Sequence, residues 1–141
     1  MMSVADDCVF CKIVAGEIPC TKVFEDEVCL SFLDIAPLAD RHTLLIPKAH
    51  YGQLPDVPTE TMAGLALQLP RIGRAIVKAT GAEGFNVLQN NGRIAGQIVL
   101  HVHFHLIPRT AEDGLGYRWN AGSYPEGRAE EICRRITESL E

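Results

Sequence analysis

Residues 101–106 read His-Val-His-Phe-His-Leu, and this strict alternation constrains the chain more than any other stretch. Period two is the pattern of a half-buried strand, whose successive side chains point to opposite faces. His101, His103 and His105 then share one face, and Val102, Phe104 and Leu106 turn to the core. Three imidazoles crowded together do little for stability. The face is either a solvated one that happens to carry histidines or a site. All five histidines of the chain fall in two places, because His42 and His50 flank a second β-rich run, His-Thr-Leu-Leu-Ile-Pro at 42–47. If the two runs pair, the histidines converge.

The rest of the chain supplies a frame for such a sheet. Residues 1–7 read as a loose end, and 9–15 as a short helical turn stopped by Gly16 and Pro19. Strands are expected at 22–25 and 28–33, joined as a hairpin through Asp26-Glu27, and residues 37–41 form a loop. The longest helix is expected over 58–80, capped by Asp56 and ended by Gly81. Leu65, Leu69, Ile72, Ile76 and Ala79 make its apolar stripe. Pro70 lies inside that pattern and predicts a kink or a break near Gln68. A fourth strand covers 85–89, and 90–97 is a turn-rich loop. The glycine-rich stretch 110–122 is an irregular excursion. Ser123-x-x-Glu126 has the spacing of a capping box, and Ala129, Ile132, Cys133, Ile136 and Leu140 mark an amphipathic C-terminal helix. The fold class is α+β, an antiparallel sheet with a long helix on one face. With 47% hydrophobic and 22% charged residues, the 141 residues fit a single domain, 1–141, with a substantial core.

Composition narrows function. No apolar run approaches the roughly 18 residues of a membrane span, and the N-terminus lacks a signal-peptide layout, so a cytoplasmic protein without a membrane partner is expected. A net charge of −5 argues against a nucleic-acid polymer as partner, though a local pocket can still hold a small nucleotide. Five cysteines, unevenly placed, do not suggest a disulfide scaffold. Cys20, Cys29 and Cys133 read as small apolar fillers. Cys8 and Cys11 form a Cys-x-x-Cys pair, a spacing shared by metal sites and redox proteins.

His-x-His-x-His followed by apolar residues resembles the histidine triad (HIT) family of nucleotide hydrolases and transferases. The resemblance extends over Cys-Val-Phe-Cys-Lys-Ile at 8–13, Phe-Leu-Asp-Ile at 32–35 and His-Thr-Leu-Leu-Ile-Pro-Lys-Ala-His at 42–50. It continues through Gln-Asn-Asn-Gly at 89–92 and Ala-Gly-Gln at 95–97 to the triad. Segments in this order look like the small nucleoside phosphoramidate hydrolase branch. The resemblance implies a HIT fold, a homodimer with the long helix and part of the sheet at its interface, and a purine nucleotide substrate, an AMP conjugate. It implies His103 as the nucleophile that attacks the α-phosphorus and carries a nucleotidyl group. A backbone carbonyl accepting one ring proton would fix the tautomer this requires. His105 would contact the phosphate, and His42 would support the orientation of the others, a structural role for it staying open.

Asn90, Gly96, Gln97 and Ile98 match the family's phosphate-binding loop, with the amides of Gln97 and Ile98 aimed at phosphate. An ordinary turn is the plain alternative. Some family members carry a hydroxyl residue at the position of Ile98, so a side-chain contact is missing here. Asp34 and Ile35 match the ribose and base site, with Phe10 and Phe32 as further candidates for an apolar wall. Cys8, Cys11, His50 and His101 match the zinc ligands of family members that keep the Cys-x-x-Cys pair. That closed set would be structural rather than catalytic, and a metal-free thiol pair is the alternative. Arg109 reads first as a solvated arginine and could alternatively meet a leaving phosphate, and Tyr117 and Trp119 could contact the leaving group. Lys48 stays ambiguous. The extension 110–141 lies beyond the secure resemblance. A dinucleoside polyphosphate hydrolase, a nucleotide sensor without turnover and a metal-dependent oxygenase are the rival readings. The last would need a downstream carboxylate ligand and more short strands than the sequence offers.

Overall fold

The computed structural model describes residues 4–35, 41–116 and 120–141. A 3₁₀ turn at Val4–Asp7 leads into helix α1, Val9–Val14, whose N-terminus is capped by the Cys8 sulfur accepting from the Cys11 amide. Strands β1 (Lys22–Glu25) and β2 (Cys29–Leu33) form the expected hairpin. Asp26 explains the turn, since one carboxylate oxygen accepts from the amides of both Val28 and Cys29 at 2.8 Å. Strand β3 is Thr43–Pro47, helix α2 is Thr59–Thr80, β4 is Gly84–Gln89, β5 is Phe104–Arg109 and helix α3 is Arg128–Glu138. The strands make one antiparallel sheet in the order β1-β2-β3-β5-β4.

The sheet's two faces carry two cores, as the alternation along the strands requires. On one face Cys29, Leu45, Phe104 and Leu106 pack with Val102 against Leu65, Ile72 and Ile76 of α2. On the other, Leu30, Phe32, Leu44 and Ile46 pack with Cys8 and Phe10 of the N-terminal segment. The histidines belong to this second face.

Helix α2 corrects three expectations. Its N-cap is Pro58, without a side-chain cap; Asp56 instead closes the preceding 3₁₀ turn together with Gln53. The helix is not broken at Pro70, which sits on its exposed side. The carbonyl that proline leaves without a partner belongs to the exposed Ala66, where water can solvate it. Gly81 ends the helix as expected, at φ 70°, a left-handed conformation that glycine adopts without strain. Ala79, placed in the stripe, is exposed. Helix α3 starts from Gly127 rather than from a Ser123–Glu126 box and buries none of its residues. Cys133 on it is exposed, not a filler, whereas Cys29 is fully buried.

The triad strand starts later than expected. Strand β5 begins at Phe104, so His101, Val102 and His103 precede it. In the antiparallel register that pairs Leu45 with Phe104, Ile46 and Pro47 would stand opposite His103 and Val102. Proline offers no N–H to a ladder. Its carbonyl is taken by the His101 ring, and the Val102 amide donates to Tyr51 instead. The chain leaves the ladder here while keeping the alternation of faces: Val102 is fully buried among the apolar residues and His103 lies on the opposite side.

Candidate active site and metal centre

The pairing of β3 with β5 brings the two histidine groups together. Leu44 stands opposite His105, which places His42, just before β3, against His105 with 3.0 Å between His42 Nε2 and His105 Nδ1. Asp34 follows the end of β2, where its amide donates to the His42 carbonyl at 2.9 Å. Its carboxylate lies 3.7 Å from His42 Nε2. Arg41, unmarked by any sequence motif, turns the chain into β3 with a φ of 64° and donates to the Ala79 carbonyl in the last turn of α2.

His103 is held by the backbone just before β5. Its Nδ1 lies 2.7 Å from the His101 carbonyl, which can only accept, so Nδ1 carries the proton and Nε2 is bare in the neutral ring. Burial lowers the pKa values of His103 and His42, and Asp34 only partly opposes this. His105 is pushed down to about 4 by burial and then by the neighbouring His103 and His42. All three rings are therefore neutral near pH 7, the state in which a histidine is a nucleophile. Phe10 packs edge-on against His103, with ring centroids 5.1 Å apart, and against Phe32 at 5.6 Å.

His101 takes the opposite tautomer. Its Nε2 donates to the Pro47 carbonyl at 2.8 Å, so its Nδ1 is bare. That nitrogen lies 3.3 Å from Cys8 Sγ, 3.6 Å from Cys11 Sγ and 3.2 Å from His50 Nδ1, and Cys11 Sγ is 3.4 Å from His50 Nδ1. A tetrahedral zinc ion with Zn–S of ~2.3 Å and Zn–N of ~2.0–2.1 Å gives S–N edges of about 3.5 Å and an N–N edge of about 3.3 Å. The four donors fit a metal ion of this kind. Both cysteines are free thiols. Burial and then the neighbouring Cys8 hold the Cys11 thiol up at about 11, so a thiolate needs a cation to form here.

The loop at 90–97 is built as a rigid cradle. Gln97 is buried, its side chain accepting from the Gly92 amide at 2.8 Å and donating to the Gly52 carbonyl at 2.7 Å. Its own amide donates to the Gly92 carbonyl at 3.1 Å. The expectation that this amide points at phosphate is corrected: Gln97 shapes the loop. Asn91, not singled out from the sequence, fastens the same loop through its Oδ1 to the Leu54 amide. Gly96 has φ 98°, and an added Cβ would come within 3.4 Å of the Asn90 Nδ2. Ile98 and Ile35 are 82% and 96% exposed, available to a ligand. Phe10 and Phe32 are buried. Arg109 is fixed by Asp113, Asn86 and the Gly116 carbonyl, so it is an anchor of the following loop and not a solvated or phosphate-facing group. Lys48 pairs with Glu25 at 2.7 Å. Tyr117 and Trp119 lie outside the described residues.

The profile of the HIT domain matches residues 15–112. The chain belongs to the HIT family. An adenosine 5′-monophosphoramidase of Schizosaccharomyces pombe is 50% identical over 136 residues, covering 92% of this chain and 98% of that protein. An adenylylsulfatase of Arabidopsis thaliana is 51% identical over 110 residues, which cover 78% of this chain but only 56% of the relative. Among solved structures, a HIT family protein of Bacillus anthracis superimposes with a TM-score of 0.92 at 41% identity, over 98% of this chain and all of the other. A zinc-bound histidine triad family protein of Mycobacterium smegmatis matches with a TM-score of 0.74 at 40% identity, over 97% of this chain and 99% of that one. The HIT fold expected from the motif is thus the fold observed. Among the described residues no helix is long and apolar enough to cross a membrane.

Proposed function

We propose that this HIT-family hydrolase cleaves AMP conjugates, with an AMP-amine as the principal substrate, through a nucleotidyl group carried on His103. The observation that carries the reading is the 2.7 Å hydrogen bond from His103 Nδ1 to the His101 carbonyl. It presents Nε2 as the attacking lone pair without a separate base. Nε2 forms a bond to the α-phosphorus, and the bond from phosphorus to the amine nitrogen breaks. The amine leaves with that electron pair and takes a proton from solvent. Water then attacks the same phosphorus and releases a proton to solvent, the phosphorus–Nε2 bond breaks, and AMP departs with His103 neutral again. His105 and the amide of Ile98 bind the phosphate oxygens, Asn90 adds a donor, and Gly96 lets the backbone approach. The names of the two curated relatives, a phosphoramidase and an adenylylsulfatase, support adenylyl chemistry.

The test is a rapid acid-free quench with AMP labelled at phosphorus in a fast-reacting adenylyl donor. Label should stay on the protein through alkali and leave in acid, as a phosphorus–nitrogen bond does. Protein that never carries label during turnover would remove the covalent route and favour direct attack by water. Comparing rates on an adenosine phosphoramidate and on diadenosine tetraphosphate separates this reading from a dinucleoside polyphosphate hydrolase.

Asp34 and Ile35 are proposed to hold ribose and base. A carboxylate–hydroxyl hydrogen bond is worth roughly 1.5–3 kcal/mol when largely dry. Asp34→Ala should weaken AMP by about one to two orders of magnitude and a 2′,3′-dideoxy analogue far less. Titrating both ligands into both proteins completes the cycle. Equal losses would mean that Asp34 acts only through its contact with His42.

Zinc held by Cys8, Cys11, His50 and His101 is proposed as structural, since a closed four-ligand set keeps no position for substrate. A cytoplasmic location, where thiols stay reduced, belongs with it. A homodimer is also proposed: β4 is an edge strand with Phe85 and Val87 38% and 46% exposed. Light scattering should give twice the 15.5 kDa chain mass; a monomer at micromolar concentration would refute it.

A further inference from the structure

Asp34, His42 and His105 do more than line a nucleotide pocket. One carboxylate oxygen and one nitrogen from each ring lie within 4.8 Å of one another. They come from three adjacent strand ends: Asp34 just after β2, His42 just before β3, and His105 within β5. The sheet registers Leu33–Thr43 and Leu44–His105 fix their backbones, and the Asp34 amide bonded to the His42 carbonyl fixes the first pair further. Two imidazoles and one carboxylate on one side of an ion, with further positions open, is a donor set that suits divalent transition metals.

We propose that these three residues form a second metal site, one that takes a divalent transition ion such as Zn²⁺ and closes the pocket to nucleotide. The 3.0 Å between His42 Nε2 and His105 Nδ1 is close to the ~2.9 Å edge of a six-coordinate ion with M–N of ~2.0–2.1 Å, the geometry that leaves further positions open. The carboxylate, 3.7 Å from His42 Nε2, completes the set after a small side-chain rotation. On entry of the ion, the proton shared between the two rings moves to a far ring nitrogen, so both donors become bare without net loss of a proton. The site has no sulfur ligand and shares no residue with the Cys8–Cys11–His50–His101 set. It therefore binds more weakly and fills second.

Mutual exclusion of ion and nucleotide rests on the assignment of Asp34 to ribose and His105 to phosphate; the metal site itself does not. Equilibrium dialysis against Zn²⁺ should load about two ions per chain, and Asp34→Asn and His105→Ala should each load about one. The retained ion shows that each variant is folded. Loading that stops at one in the wild type, or reaches two in both variants, overturns the proposal. Co²⁺ offered to the wild type whose cysteine site is already filled with zinc provides an independent readout. Its spectrum should show ligand-field bands without thiolate charge transfer, and thiolate charge transfer would place the second ion on cysteine and overturn the proposal. Adenosine, which carries no phosphate to chelate the ion, should displace the second equivalent. Loss of that equivalent in the variants, but not on adding adenosine, upholds the metal site and refutes the ribose assignment.

Discussion

His103→Asn should lower turnover on an AMP-amine by at least about a thousandfold, ~4 kcal/mol in barrier, while leaving nucleotide binding nearly unchanged. The substitution isolates the proposed nucleophile. Asparagine's amide can donate to the His101 carbonyl in place of Nδ1, which avoids leaving that acceptor unpaired. What disappears is the bare ring nitrogen, and asparagine has no substitute for it. The edge contact with Phe10 is partly lost, a packing change of about 1 kcal/mol. Steady-state rates together with calorimetric AMP binding separate the two effects. A variant that keeps more than about a tenth of wild-type turnover, a loss of under ~1.4 kcal/mol, would show that His103 is not the nucleophile.

The alternation at 101–106 was enough to assign faces, because a strand's period of two is imposed by backbone geometry. Val102, Phe104 and Leu106 reach the apolar core as expected. The start of the strand was not legible. It depends on Pro47, more than fifty residues away, whose missing N–H and occupied carbonyl end the ladder. The same holds for Pro70: a helix-breaking residue is tolerated when the orphaned carbonyl faces water, and local sequence does not say which way it faces. Ser123 and Glu126 show the reverse error. Their capping-box spacing is present, but the helix begins at Gly127, so the pattern alone did not fix the boundary.

Site residues were legible as types and only partly as roles. Donor chemistry grouped Cys8, Cys11, His50 and His101 through the family resemblance, and their sulfur and nitrogen atoms do converge. The role of Gln97 was not visible, because a side-chain amide in a glycine-rich loop can equally bind ligand or brace the loop. Its bonds to Gly92 and Gly52 show that it braces. Arg41 and Asn91 act through long-range bonds to Ala79 and Leu54, which no local motif announces. Nor could sequence reveal that two histidines of one short segment are set in opposite tautomers. The choice lies in which ring nitrogen meets a carbonyl: Nε2 for His101, Nδ1 for His103.

Those two tautomers determine what zinc removal should do. If the proposed zinc is bound, Cys8→Ser with Cys11→Ser should yield protein that holds no ion at this site and has a much lower melting temperature. An ion bound only to the folded state contributes about 4 kcal/mol when its free concentration is a thousand times its dissociation constant. For a chain of this length that is a shift of roughly 10 °C or more. Activity per folded molecule should change only a few-fold. The His101 carbonyl that orders His103 stays in place without the ion, because the His101 ring still donates to Pro47 and the Val102 amide to Tyr51. Acid should mimic the double substitution, since each thiol must lose a proton to bind the ion and affinity falls as pH falls. Metal analysis and calorimetry on the wild type and the double variant check both statements. Wild-type protein purified without chelator that holds no zinc would eliminate the site. A double variant that is folded and cold-stable yet inactive would instead make the ion part of the catalytic arrangement, transmitted through His101 to the nucleophile two residues on.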